Sequence, residues 1–329
     1  MKRTAIIVGI LSLAVWAAAQ STGSTQQTPP PAGQTPPTQG TAAQGTPAPG
    51  APAQPAVKRP PQAKTQPEYD AYKAAAANTD AAALEKAAAD FATKFPDSEL
   101  RILLYRTDMG LYQAANNAEK TEEIGRKVLA IDPDDPTALT IVSDVIALRT
   151  RDTDVDRNQR YDEGMKMAQR SITTVDTDVM VPPGTPQERI DAFKAQTRAQ
   201  AYSTMGMIEY NRSSFPAAQE DFQKAVDADP GHPYAPDILH LGLAIDRVAT
   251  LSSDQAQQTK LYTQALDVVN RAVSLTQENT PVGGSARREQ DRLQKLTGHA
   301  PAAQPQTQTP PNQPAQPPTT PRQSQPPNH

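Results

Sequence analysis

The residues able to do chemistry in this chain are few and scattered. The four histidines are His232, His240, His299 and His329. No two share a helical face at metal-binding spacing, so no HExxH-type site exists. His232 lies in the turn DPGHP and His240 on a helix, and both are assigned structural roles. There are no cysteines, which excludes disulfides, thiolate metal sites, a cysteine nucleophile and a lipidated N-terminal cysteine. Gly283-Gly284-Ser285 precedes a helix, as phosphate-binding turns do. No strand leads into it and no P-loop lysine follows, so it reads as a plain helix start. Asp152-Thr153-Asp154-Val155-Asp156 has the alternating acids of a calcium loop. It lacks the loop's glycine and its closing Glu. No catalytic residue, metal ligand or cofactor site is assigned, and the remaining function class is binding.

The elements that would position a binding surface are helices. Residues 199–230 read AQAYSTMGMIEYNRSSFPAAQEDFQKAVDADP. Tyr202, Met205, Gly206 and Tyr210 fall on one face of a first helix, and Ala218, Phe222 and Ala225 on one face of a second. Pro230 ends the unit. Residues 99–133 repeat the layout. Aligning Pro133 with Pro230 sets Tyr105 over Tyr202. Asp108 then occupies the large apolar position filled later by Met205, and Gly110 stands one place beyond the glycine. Asn116-Asn117 makes the turn between the helices, and Ile124, Val128 and Ile131 form the second stripe. Asp135 and Pro136 suit the start of the next helix.

Weaker copies flank these two. Residues 68–98 hold two short helical patterns, the second carrying Leu84, Ala87, Ala88, Phe91 and Phe95, and ended by Pro96. Residues 136–175 give another pair, joined by a long linker and followed by the proline-containing loop 176–185. Thr185-Pro186-Gln187-Glu188 reads as a capped helix start, with the helix running through Tyr210. Residues 235–251 and a helix ending near Leu275 form a fifth pair, with Ser252 and Gln255 as a capping box. Thr280-Pro281 opens a polar last helix that Gly298 closes.

Composition divides the chain. All 36 acidic residues lie in 68–298, while six of the 32 basic residues (Lys2, Arg3, Lys58, Arg59, Lys64, Arg322) lie outside it. The central segment therefore carries a net charge of −10, which argues against nucleic acid as a partner. Residues 1–19 have the basic start, apolar run and Ala17-Ala18-Ala19 cleavage site of a secretory signal peptide. The apolar run is shorter than the ~20 residues that span a bilayer, so membrane attachment would come only through an uncleaved signal segment. Residues 20–67 and 299–329 are rich in Pro, Gln and Thr and read as disordered spacers.

The W-x₂-L-G-x₂-Y, A-x₃-F, P pattern of the tetratricopeptide repeat (TPR) is met at 199–230 by Tyr202, Met205, Gly206, Ala218, Phe222 and Pro230. Tyr210 comes one place late. The chain resembles the TPR superfamily across about 68–297, and with its signal peptide it looks like exported bacterial TPR proteins of the periplasm or cell envelope. The resemblance implies an all-α, TPR-like α-solenoid of stacked antiparallel helix pairs. It implies a non-enzymatic interaction scaffold that binds a partner protein or peptide on its concave face. First helices line that face in the family, which makes Arg106, Gln113, Asn117, Gln200, Ser203, Asn211 and Arg212 the partner-binding candidates. The repeated Lys/Asn set of the carboxylate-clamp TPR domains is absent. The alternative is a structural envelope spacer whose Pro-rich tails associate with envelope components.

Overall fold

The structure is a computed structural model that describes residues 58–182 and 184–298. The segment 1–19 read as a signal peptide, the part of the expected spacer up to residue 57 and the stretch 299–329, with His299 and His329, lie outside the described residues. Eleven helices follow one another among the described residues: α1 (Gln66–Ala76), α2 (Ala81–Lys94), α3 (Arg101–Ala114), α4 (Ala118–Ile131), α5 (Pro136–Arg149), α6 (Arg157–Thr174), α7 (Gln187–Asn211), α8 (Phe215–Ala228), α9 (Ala235–Leu251), α10 (Gln255–Ser274) and α11 (Pro281–Thr297). No strand interrupts them. Each helix packs on the next, forming an all-α solenoid of antiparallel pairs.

Curvature follows from which helices meet across a pair. α1 packs on α3, α5 on α7, α7 on α9, and α9 on α11, whereas no two successive even helices make comparable contact. The odd helices therefore line the inner side of the array. α5 sits at its centre and is apolar on nearly every face, with Leu139, Val142, Val145 and Ile146 all buried, as a helix enclosed by neighbours must be.

Local chemistry sets the helix ends. Asp80, Asn117, Asp135 and Thr280 accept from backbone N–H groups three residues on, at 2.9–3.2 Å, which satisfies donors that a helix start leaves orphaned. Asn116 takes a left-handed φ of 55° in the α3–α4 turn. Gly298 ends α11 at φ 72°. Two caps differ from the sequence reading. Thr185 turns back to donate to the Pro182 carbonyl at 2.7 Å, and Pro186 becomes the residue before α7, without a side-chain cap. Asp254, not Ser252, caps α10, accepting from the N–H groups of Ala256 and Gln257, because a carboxylate next to the helix outcompetes a hydroxyl farther away. Gly283 has a packing reason: an added Cβ would lie 1.9 Å from the Gln277 carbonyl oxygen.

Three of the pairs close on a small residue set against a large one. In α7–α8 the small residue is Gly206, where a Cβ would come within 2.8–2.9 Å of three Phe222 ring atoms. In α9–α10, Gly242 plays the same part against Val269, with a Cβ 2.6 Å from Cγ2. Leu241-Gly242 and Ala265-x₃-Val269 thus repeat Met205-Gly206 and Ala218-x₃-Phe222. The longer helices of that pair spread the motif and hide it in the sequence. In α3–α4 the roles are exchanged. Met109 stands at the position aligned with Gly206, and Gly125 at the position aligned with Phe222; a Cβ on Gly125 would lie 3.2 Å from the Met109 sulfur and closer still to Val142 Cγ2 of α5, at 2.4 Å.

Asp108 confirms the register and breaks the chemistry. It is fully buried in the apolar position aligned with Met205, and neither carboxylate oxygen has a hydrogen-bond partner. Burial, reinforced by nearby Glu85, pushes its pKa up to about 7.

Two substitutions test this packing in opposite directions. Gly206→Leu overfills the contact with Phe222 and lowers stability by about 1–3 kcal/mol, read as a fall in melting temperature. Asp108→Leu keeps the branching of the side chain while removing an unsatisfied buried carboxylate. It raises the urea midpoint, by on the order of 1–3 kcal/mol in stability at pH 7.

Candidate functional site: an acidic cleft on the inner helices

The inner face narrows to a polar cleft where α5, α7 and α9 meet. Asp144 projects from α5 and Asp237 from the first turn of α9, with α7 between them. Ser203 on α7 donates to the Asp237 carboxylate at 2.6 Å. Gln200 Nε2 and Thr204 Oγ1, also on α7, each lie 3.4 Å from Asp144 Oδ1. The i, i+3, i+4 spacing of Gln200, Ser203 and Thr204 sets all three on one face of the helix. α7 thereby offers one hydroxyl to one acid, and an amide and a hydroxyl to the other.

A cavity of about 270 Å³ opens beside this pair. Gln196 and Gln200 of α7, Ala225 of α8, and His232, Tyr234 and Asp237 at the entry to α9 line it. His232 is held to Asp229 at 3.1 Å, so the α8–α9 turn presents its polar groups toward the opening.

The acids lack positive charge. Burial pushes Asp237, 5% exposed, up to about 7, with the Ser203 hydrogen bond pulling the other way and Asp144 adding to the rise. Burial pushes Asp144 up to about 6 against the bonds from Thr204 and Gln200. Burial also holds Tyr234 up at about 12, with both carboxylates contributing. Among the described residues, no Lys, Arg or His pairs with Asp144 or Asp237. Four other buried acids do have a cation: Asp132 meets Lys58, Asp135 meets Arg106, Asp221 meets Lys224 and Asp246 meets Arg292, whereas Asp108 in the α3–α4 core has none. A carboxylate removed from water without a cation is costly, and here buried Asp237 has half-buried Asp144 as its charged neighbour.

The partner-binding candidates read from the sequence occupy different environments. Gln200 and Ser203 are in the cleft, each bonded to one of its acids. Arg106 is committed to Asp135 through an ion pair and sits 3.1 Å from the Met180 sulfur. Asn117 caps α4. Arg212 pairs with Asp162, donates to the Asn158 carbonyl at 3.2 Å and covers the Tyr161 ring, while Asn211 bonds to Tyr161. Gln113 is partly exposed on α3. Asp144, Thr204, Tyr234 and Asp237 were not among the candidates. The visible signal was an acid at the middle of an otherwise apolar α5 and another in the first turn of α9, where an acid is also expected for the helix dipole.

The remaining sequence candidates are structural in setting. His240 stacks on Phe222 with centroids 5.3 Å apart, and burial holds its pKa down at about 4. Asp154 accepts from the Arg151 N–H at 2.8 Å. No group of three or more His, Cys, Asp or Glu side chains is arranged to hold a metal among the described residues. No helix among the described residues is long and apolar enough to cross a membrane. No family model matches the chain, and no curated protein sequence matches it.

The raised acids set a pH signature. A carboxyl group whose folded pKa lies above its unfolded value contributes stability that is lost as pH rises between the two. For Asp237 that window runs from its ordinary 3.8 to about 7. His240 acts in the opposite sense between about 4 and 6.5, so the two must be separated. The stability gained by Asp237→Asn relative to the native chain should grow from pH 5.5 to pH 7.5, by on the order of 1–2 kcal/mol. His240 cancels in that difference. Chemical denaturation of both proteins at the two pH values measures it.

Proposed function

We propose that this chain is an exported, non-enzymatic interaction scaffold with a TPR-like solenoid, and that its concave face binds an extended segment of a partner protein. One observation carries the reading: buried Asp237 and half-buried Asp144 lie near each other on the inner face without a cation, and Asp237 lines an open cavity of about 270 Å³. A lysine or arginine of the bound segment supplies the missing charge. Its ammonium or guanidinium group takes both carboxylates at once, in surroundings where a charge-assisted contact is stronger than in water. Ser203, Gln200 and Thr204 hold the acids in place, and Tyr234 offers an aromatic wall. Desolvated acids in a preformed cleft give a bound cation more free energy than surface pairs do. The resemblance at residues 199–230 to the TPR pattern supports the architecture, and the leader-like residues 1–19 support export to the periplasm or cell envelope.

The test is affinity capture with the mature full-length chain and with the Asp144→Asn/Asp237→Asn variant, followed by mass spectrometry. The native chain should recover a defined partner that the variant loses by about tenfold or more, while the variant melts at the same or a higher temperature. Equal recovery by both proteins, or no specific partner with the native chain, would sink the proposal.

A further inference from the structure

A second surface is already occupied by the chain's own N-terminal segment. Residues 58–64 (KRPPQAK) have no regular secondary structure and run as a strap over the junctions where an even helix leads into the next odd one. Lys58 Nζ lies 2.6 Å from Asp132 Oδ1 at the α4–α5 junction and 3.5 Å from Asp178 in the α6–α7 loop. Arg59 forks onto both oxygens of Glu99, just before α3, at 2.8 and 3.0 Å. The Gln62 N–H adds a third bond to Glu99 at 3.1 Å, and Lys64 Nζ reaches the Asp97 carbonyl at 2.9 Å. The strap thereby joins residues 120 positions apart.

The charges are placed for this contact. No charged residue stands between Arg3 and Lys58, and the three cations that follow, Lys58, Arg59 and Lys64, all land on acceptors of the junctions. Pro60-Pro61 keeps the segment extended, so it spans junctions at about 3 Å per residue without folding on itself. The receiving side is prebuilt. Asp132 is 7% exposed, and its second carboxylate oxygen is buried with no hydrogen-bond partner.

The strap is anchored at its ends, by Lys58 on Asp132 and by the Lys64 N–H on buried Glu68 at 2.6 Å, and is exposed between them. The Arg59–Glu99 pair is 60% and 42% exposed, and such pairs contribute about 0–1 kcal/mol each and are screened by salt. The backbone bonds of the strap go to side chains, so it can open without unfolding a helix. Tethering adds to its hold by giving it a high effective concentration over the acids.

We propose that this junction row of acids, Asp97, Glu99, Asp132 and Asp178, is an interaction surface for a basic, proline-containing extended segment of a partner, which exchanges with Lys58–Lys64. The surface is separate from the concave cleft and does not depend on it. When the strap leaves, Glu99 loses Arg59 and Asp132 loses Lys58, keeping only the longer contact to Arg106 at 3.9 Å, and both recruit the partner's cations.

The experiment uses the full-length chain and the Lys58→Glu/Arg59→Glu variant, with a labelled synthetic peptide PAVKRPPQAKTQ (residues 55–66) as probe. Circular dichroism checks that the helices are kept, and Lys58→Gln/Arg59→Gln stands in if charge reversal disturbs them. The peptide should bind the released variant about tenfold or more tightly than the native chain. Binding should weaken steeply as salt rises from about 0.05 to 0.5 M. It should vanish when the released variant also carries Glu99→Gln and Asp132→Asn, and it should be unchanged by Asp237→Asn. Trypsin cleavage after Lys64, a site common to both proteins, should be faster in the released variant. Equal or absent peptide binding to both proteins, or unchanged cleavage after Lys64, would overturn the proposal. So would a dimer of the native chain that the same strap substitutions abolish, since the row would then serve strap exchange between copies.

Discussion

Every feature of this solenoid depends on two helices of a pair approaching closely enough to exclude water between them. The approach is set where a side chain is missing on one helix and a large one fills the space from the other. Gly206 receives Phe222, Gly242 receives Val269, and Gly125 receives Met109 with the direction reversed and, more closely, Val142 of the next pair. Phe222 is completely buried by this contact, which is worth on the order of 1.5–3 kcal/mol of apolar transfer. Because the contact repeats, the core is divided along the array rather than gathered at one centre. One cluster joins α1, α2 and the start of α3, a second joins α3, α4 and α5, and a large third runs from α8 to α11. Such a chain is stabilised pair by pair and interface by interface.

The same geometry sorts polar groups. Odd helices crowd on the inner side, so a polar residue there is both near solvent and close to the next odd helix. Asp144, Ser203, Gln200 and Asp237 meet in this way. The ends of the pairs form a second polar zone. Each junction carries an acid that caps or precedes an odd helix, such as Asp135 before α5, and the cations of Arg106 and the strap gather there. One zone is supplied with cations from within the chain and the other is not. That difference separates a neutralised structural acid from an acid poised to take a cation from outside.

Much of the architecture was legible in the residues. The stripe Tyr202, Met205, Gly206 and the stripe Ala218, Phe222, Ala225 fixed one helix pair. Aligning Pro133 with Pro230 then set Asp108 over Met205, and both prove buried at that position. The spans 157–174 and 235–251 were read directly from their periodicity and flanking breaks. Less legible were caps with competing candidates nearby, as at Thr185 and Ser252. The swapped pair Met109–Gly125 was missed because a pattern written for one helix does not say that its partner helix can carry the small residue. Six of the seven candidate surface residues, Arg106, Asn117, Gln200, Ser203, Asn211 and Arg212, have intramolecular partners that no helical register reveals.

The sequence by itself determined the helices, their pairing and the acidic character of the central segment, because these depend on neighbours within about four residues and on summed composition. Only the tertiary structure decided which charges are neutralised. Lys58 meets Asp132, Arg292 meets Asp246, and Asp237 has Asp144 as a charged neighbour and no cation. Electrostatic energy depends on distance through space and on loss of water, and both are set by which distant segments the packing brings together.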